Sequence, residues 1–373
     1  MKVLVTGAKG FIGKNLLVRL SELSRVSIET FTSQDSPESL ASKVDDVDAI
    51  IHLAGVNRPD SDAEFAEINR DLTARLCEEL KQLNKKPHII FASSIQVERN
   101  NPYGKSKLAA EEELKKYVAD TGGSVSVFRL PNVFGKWCRP DYNSVVSTFC
   151  HNIAQGQEID IHDPATMVNM VYIDDVIDGF IERLHLSKSL MGEYQFEEAK
   201  PVYTIGLGEL ADKIYSFRNS RKTLVTDKVG NGFTRALYAT YLSYLKPGSF
   251  SYSLESHQDE RGVFVEFLKT TDSGQISFFT AGPGITRGGH YHHTKNEKFL
   301  VVQGEAKFRF KNLSTFENYE LAVSSSTPEV VETIPGWAHD ISNTGNEELV
   351  VLIWANEIFD VDNPDTIGAS LDE

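Results

Sequence analysis

Tyr103 and Lys107 stand four residues apart in Asn101-Pro-Tyr-Gly-Lys-Ser-Lys107, at the start of a helical stretch, and so share one helix face. A phenol with its ordinary pKa of about 10 exchanges protons poorly at neutral pH, and an ammonium within a few Å lowers that value by roughly 1 to 3 units. Lys107 is placed to do this for Tyr103. Ser94 lies in Phe91-Ala-Ser-Ser-Ile95, which reads as the end of a buried strand, and is the natural third partner for a tyrosine that exchanges a proton with a carbonyl. A lone Tyr-x-x-x-Lys usually marks only the polar face of an amphipathic helix, so the surrounding elements decide.

A second set of chemical side chains lies in Gly284-Ile-Thr-Arg-Gly-Gly-His290-Tyr-His292-His-Thr-Lys-Asn-Glu297 and in Pro335-Gly-Trp-Ala-His339. His290 and His292, two apart on an extended strand, point to the same side. Glu297 and His339 complete a set of three nitrogens and one carboxylate, suited to a divalent ion. Four protein ligands leave no open position on a tetrahedral ion, so zinc in a mainly structural role is expected. The alternative is a set of hydrogen-bonding histidines in an empty barrel.

The elements that must position Tyr103 begin at the N-terminus. Lys2-Val-Leu-Val-Thr6, Gly7-Ala-Lys-Gly10-Phe11-Ile12-Gly13 and Lys14–Leu20 read as strand, glycine turn and helix. Such a turn lets a pyrophosphate approach the backbone and rest on the helix N-terminus. Val26–Thr32 reads as a second strand without a terminal carboxylate, and the small hydroxyls after Phe31 tolerate a 2′-phosphate. NADPH is therefore the expected coenzyme, with Arg25 or Lys9 as the candidate clamp. Asp48–Gly55 is a further buried strand, ending in Leu53-Ala54-Gly55 where the nicotinamide ribose would lie, and its His52 reads as structural. Ser124–Gly135 opens into a loop at its C-terminal end, which makes Asn132, Arg139 and Asn143 substrate candidates and lets Trp137 and Tyr142 stack on a ring. Asp174 and Asp175 suit a helix start.

The 373 residues predict two domains, α/β over 1–245 and all-β over 246–373, separated at Lys246-Pro-Gly-Ser-Phe250. Short strands are expected over 275–280, 298–302, 306–310, 329–334 and 348–354. A formal charge of −15 argues against nucleic acid and anionic membrane as partners. Three cysteines without metal-type spacing fit a reducing cytoplasm, and no apolar run approaches the length of a membrane span.

Thr6-Gly-x-x-Gly-x-x-Gly13, Leu53-Ala-Gly55, Ser94, Tyr103-x-x-x-Lys107, Arg129-x-x-Asn132-Val-Phe-Gly135 and Tyr172-Ile-Asp-Asp175 together resemble the extended short-chain dehydrogenase/reductases that act on nucleotide sugars. The resemblance covers residues 1–245 and implies a Rossmann-type doubly wound parallel sheet. It casts Tyr103 as proton donor, Lys107 as the residue that lowers its pKa and holds the nicotinamide ribose, and Ser94 as the group that polarises the sugar carbonyl. Residues 284–343 resemble the cupins, with Pro335 directly before Gly336 where one intervening residue is usual, and imply a jelly-roll barrel.

The fusion, with Asp259–Phe267 and His292–Leu300 in support, resembles the bifunctional capsular polysaccharide epimerase/reductases. That resemblance implies C3 epimerisation of a UDP-4-keto-hexosamine by the cupin, then reduction at C4 with NADPH to a 2-acetamido-2,6-dideoxy-L-talose. It also implies a homodimer or dimer of dimers through the cupin. Arg287-Gly-Gly-His290 is similar to the Arg-Gly-x-His segment of deoxysugar 3,5-epimerases, in which the histidine is the base and the arginine meets the diphosphate. A zinc-bound His290 would leave His293, Lys298 or Tyr291 as base. Two rival readings stay open: a reductase whose cupin only dimerises, and a non-catalytic NADP sensor.

Overall fold

Apolar runs without alternation fold as strands covered on both faces. Val3, Leu4, Val5, Ile50, Ile51, Ile89, Ile90, Val125 and Val127 are all fully buried. They lie on β1 (Lys2–Thr6), β3 (Ala49–His52), β4 (His88–Ser94) and β5 (Val125–Leu130), with β2 (Ser27–Phe31) pairing against β1. The chain continues through β6 (Asn132–Phe134), β7 (Met167–Tyr172), β8 (Tyr194–Glu197) and β9 (Val202–Gly206). Six of these make one sheet in the order β2-β1-β3-β4-β5-β8. All of its pairings are parallel, as in a doubly wound Rossmann-type sheet. The order reverses between β1 and β3, which opens a crevice at their C-terminal ends.

The computed structural model describes residues 1–57, 61–187, 190, 192–254, 257–259, 262–264, 268–270, 274–357 and 362–372. Of the stretch Asp259–Phe267, residues 260, 261 and 265–267 lie outside the described residues. Two compact units divide the chain, one of Met1–Phe134 with Val168–Thr204, the other of Gly135–Met167 with Ile205–Glu373. The second unit thus includes more than the β-rich segment expected from 246 onward. Its helices Val145–Ala154, Leu207–Thr223 and Gly232–Leu242 pack on one another, and Tyr238 and Arg221 reach Glu332 in the β-rich part.

The β-rich part contains β10 (Val225–Thr226), β11 (Ser251–Ser253), β12 (His257–Asp259), β13 (Gly262–Phe264), β14 (Lys269–Thr270), β15 (Gln275–Ala281), β16 (Thr286–Tyr291), β17 (Glu297–Gln303), β18 (Glu305–Asn312), β19 (Asn318–Ser324), β20 (Glu329–Glu332), β21 (Trp337–Asn343), β22 (Leu349–Ala355) and β23 (Ile367–Gly368). Two five-stranded antiparallel sheets form, β11-β20-β17-β22-β15 and β19-β18-β21-β16-β23. They meet through aromatic side chains, with Phe299 of β17 5.5 Å from Phe308 of β18, and Phe250, just ahead of β11, 5.1 Å from Trp337 of β21. Among the described residues no helix is long and apolar enough to cross a membrane.

In the first unit the helix Pro102–Thr121 is fixed to the sheet by a buried charge. Glu111 accepts from Ser93 of β4 at 2.5 Å and takes Arg129 of β5 in a two-pronged pair at 3.1 and 2.7 Å. Replacing Arg129 by Leu strands that carboxylate, and removing one partner of a buried pair costs about 3 to 5 kcal/mol. Because the Arg129 side chain is 31% exposed, the low end, about 3 kcal/mol, is expected. The check is the urea midpoint, which should fall at unchanged slope; a wild-type midpoint would show that the pair carries no stability.

Candidate functional site

The glycine turn is a cradle that side chains would fill. Gly7 has φ +69, and a Cβ there would stand 2.7 Å from Ala54 N; at Gly13 it would stand 2.5 Å from Gly7 O. Gly10 caps the helix Phe11–Ser21 without a side-chain bond, which leaves the amides of the first turn, including Phe11 and Ile12, to an anionic ligand. Thr6 Oγ1 accepts from the N–H groups of Leu53 and Ala54 at 3.2 and 3.1 Å, so the ends of β1 and β3 form adjoining walls of the crevice. These residues fit a dinucleotide. His52 bridges Thr6 at 2.7 Å and Thr73 at 2.9 Å, and burial, with Lys107 nearby, pushes its pKa down to about 3, so it is a neutral structural link.

Beyond β2, the carboxylate of Asp35 is turned back onto the N–H and hydroxyl of Thr32 and pairs with Lys43 at 3.1 Å. Lys9 of the glycine turn donates to the Gln34 side chain. Arg25 precedes β2, at the end of the strand away from the crevice, so of the two expected cations only Lys9 stands at the right place.

Ser94 ends β4 and caps the short helix Ile95–Glu98, and Asn101 caps the helix Pro102–Thr121, with Gly104 N donating to it at 2.7 Å. Tyr103 sits in that first turn. Burial holds its hydroxyl above the ordinary tyrosine pKa, and a hydrogen bond with Ser94 works against the rise. Lys107 is buried and donates to Ala92 O at 2.9 Å; burial lowers its pKa to about 8, with Glu111 opposing. Burial thus governs the phenol here, and one of the three Lys107 N–H groups goes to a backbone carbonyl. Asn69 is an addition that spacing did not reveal. It lies in the π-helical stretch Ala66–Asp71, bonds both backbone groups of Val56 and donates to Ser106, one residue from Lys107.

The substrate candidates separate. Asn132 belongs to the first unit and donates to Asn169 O at 2.9 Å. Exposed Arg139 and Asn143 belong to the second unit, where the Arg139 guanidinium lies 5.1 Å from the Tyr142 ring. Trp137, expected to stack on a ligand ring, instead packs on Gly336 of the turn before β21.

In the second unit His290, His292, Glu297 and His339 meet, with one donor atom from each lying within 4.8 Å of the others. Register explains the meeting: His290 of β16 pairs with His339 of β21, and Glu297 opens β17 in the other sheet. His292 Nδ1 donates to Asp365 O, so in the neutral ring Nε2 is a lone pair facing Glu297 Oε2 at 3.3 Å. His339 Nε2 faces the same oxygen at 3.7 Å, and neither ring nitrogen of His339 has a hydrogen-bond partner among the described residues. Burial, with the other histidines, lowers His290 to about 4; burial also lowers His339. Burial works to raise the Glu297 carboxyl, and the His292 and His339 rings beside it hold it well below the usual carboxylate range. Acceptors converging in a buried space, in the protonation states that ligate metals, fit a divalent cation.

Lys298, a candidate base or substrate contact, alternates to the other face of β17. Its ammonium lies 3.0 Å from Glu332 and 3.0 Å from the Tyr252 hydroxyl. Burial works to lower its pKa, yet Glu332 and the surrounding hydroxyls raise it well above the usual lysine value, so Lys298 is corrected to a structural ion-pair partner. Tyr291 and His293 form a ring pair at 5.5 Å, alternating in the chain with the His290–His292 pair at 5.0 Å. A bulge at Gly288-Gly289 pairs Arg287 with Ile341 while His290 pairs with His339, and since 339 and 341 share a face, Arg287 and His290 do too.

Residues 3–190 match the family described as NAD dependent epimerase/dehydratase, and residues 257–367 match the Polysaccharide biosynthesis C-terminal domain. The chain is 52% identical over 373 residues, all of both chains, to UDP-2-acetamido-2,6-beta-L-arabino-hexul-4-ose reductase of Pseudomonas aeruginosa. It is similar to the crystal structure of capsular polysaccharide assembling protein CapF from Staphylococcus aureus, with 40% identity, TM-score 0.66, and coverage of 99% of this chain and 100% of that one. The spore coat polysaccharide biosynthesis protein SpsL of Bacillus subtilis is 23% identical over 122 residues, 30% of this chain and 81% of that protein.

Proposed function

The chain belongs to the NAD dependent epimerase/dehydratase family and carries a polysaccharide biosynthesis C-terminal domain, and from that premise we propose that it reduces the 4-keto group of a UDP-2-acetamido-2,6-dideoxy-hexulose with NADPH. The observation that carries this is that Ser94 ends β4 while half-buried Tyr103 and buried Lys107 stand in the first turns of the helix Pro102–Thr121, with Lys107 bonded to Ala92 O of the same strand, in the unit that holds the glycine cradle. A nicotinamide held in the glycine cradle would supply the hydride to C4. Tyr103 gives its proton to the carbonyl oxygen, Ser94 polarises that oxygen, and Lys107 holds the ribose. A sensor needs the cradle but no proton donor, which disfavours the non-catalytic reading. Lys9, and the pairing of the Asp35 carboxylate with Thr32 and Lys43, support NADPH over NADH.

The second activity we assign is C3 epimerisation on the two-sheet part, read as a cupin barrel. Its support is the bulge that turns Arg287 and His290 to one face, a cation for the diphosphate beside a neutral imidazole for the C3 proton. Tyr291 and His293 alternate away from that face. His290 is only half-buried, whereas His292, Glu297 and His339 are buried, so zinc held by those three leaves His290 for proton transfer and retains an open position. Ile276 and Phe278 on the edge strand β15 are 58% and 66% exposed, which supports a homodimer or dimer of dimers through this part.

Three outcomes test these assignments. Tyr103→Phe should lower NADPH oxidation about 10²- to 10⁴-fold, the usual worth of a general acid, while coenzyme affinity measured by fluorescence titration is kept; a rate near wild type sinks the proton-donor role. NADPH should exceed NADH in kcat/KM by at least about tenfold, and Lys9→Ala should narrow the ratio. Finally, full-length Tyr103→Phe in deuterium oxide without NADPH should still exchange the C3 hydrogen of the UDP-4-keto sugar, and His290→Gln should stop exchange while keeping zinc. No exchange by any form would leave the C-terminal domain a dimerisation module.

A further inference from the structure

The loop between β16 and β17 carries His292 and leads into Glu297, yet it contains no regular secondary structure. Three of its backbone donors are met by one side chain from far along the chain. Asp365 Oδ1 accepts from His293 N at 2.8 Å, and Oδ2 accepts from Thr294 N and Lys295 N, both at 2.7 Å. The Thr294 hydroxyl adds a bond to Oδ2 at 3.2 Å, while the Asp365 carbonyl takes His292 Nδ1. Two residues further on, β23 pairs with β16 at His290 and Tyr291. Arg235 of the helix Gly232–Leu242 steadies this arrangement, lying 3.8 Å from Asp365 and 3.1 Å from Glu357 and donating to Thr294.

We propose that Asp365 is a positioning residue for the metal cluster: its carboxylate clamps the loop after His292, and its carbonyl fixes the His292 ring with Nε2 toward Glu297 and His339. The inference rests on the reading of that cluster as a metal site. A carboxylate that receives several backbone N–H groups is a strong and directional holder, and the partner of a ligating histidine's second nitrogen sets both ring orientation and tautomer. The C-terminal segment 365–368 is thus a strap across the ligand strand, and the order of His292 depends on it.

The test is zinc affinity of the full chain, measured by competition with a chromophoric chelator. Asp365→Asn removes the charge and weakens the clamp, and should bind zinc about 10- to 100-fold more weakly, the usual cost of losing a partner that orients a ligand. Glu332→Gln is the control, because it breaks a buried pair on the other face of β17; it should lower the melting temperature and leave zinc affinity unchanged. Should Asp365→Asn not fold by circular dichroism, Thr294→Val removes one bond to the same carboxylate and should weaken zinc in the same direction. Folded Asp365 and Thr294 variants with wild-type zinc affinity would overturn the positioning role alone. A wild-type chain that takes up no stoichiometric divalent metal would overturn the metal reading and this inference together.

Discussion

The first unit depends on one buried carboxylate. Glu111 stands on the helix Pro102–Thr121, accepts from Ser93 on β4 and takes Arg129 on β5 in a two-pronged pair. An isolated carboxylate in that position would be too costly to keep charged, so its partners are obligatory. Those partners sit on two adjacent strands, which fixes the helix in both translation and rotation. Arg129 in turn lies 4.3 Å from the Phe196 ring on β8, so the linkage spans three neighbouring strands. Tyr103 and Lys107 are displayed by that same helix, two turns and one turn before Glu111. Their reach to Ser94 and to Ala92 O follows from where Glu111 holds the helix.

The second unit solves its positioning problem differently, by making one strand face two ways. On β17, Glu297 points to the histidines and Lys298 points to Glu332, Tyr252 and Tyr238. A buried ion pair adds little net stability over a hydrophobic isostere, but breaking it is costly. The Lys298–Glu332 pair therefore locks register: a one-residue slip of β17 would put the lysine among the histidines and the glutamate against the helices. Arg221, 3.5 Å from Glu332, ties the helix Leu207–Thr223 to the same carboxylate. The helices thus belong with the sheets, although their sequence reads as the tail of the α/β domain.

What was legible in the sequence was local. Tyr103 and Lys107, the three glycines and the pair His290 and His292 announce themselves by spacing within one element, and β15, β17, β18, β20 and β22 follow from apolar runs. What was hidden depends on partners distant in the chain. Lys298 reads as a candidate base until the fold brings Glu332 to it, and Asp365 lies some seventy residues from the loop it clamps. Asn69 is an unremarkable residue in a polar stretch, and only the fold brings it to Ser106. β19 was missed because its alternation of exposed and half-buried residues is weak, and β21 because its buried polar residues, His339, Asp340 and Asn343, disguise a core strand.

Under the proposed function the two chemistries are ordered by the substrate itself. The C3 hydrogen is acidic only while C4 is a ketone, because the carbonyl takes up the charge left when the proton departs. Reduction at C4 removes that acceptor, so inversion at C3 has to come first and no gate is needed to enforce the sequence. Stereochemical selection then falls to the reductase. Tyr103 and Ser94 are both held by backbone caps and by the Glu111 anchor, so the proton and the polarising hydroxyl reach a carbonyl from one fixed direction. A rigid donor pair accepts one epimer at C3 better than the other, because the neighbouring hydroxyl changes which face of C4 can be presented. On this view Ser94 and Tyr103 act as a filter as well as an acid, drawing an epimer mixture forward by consuming a single member of it.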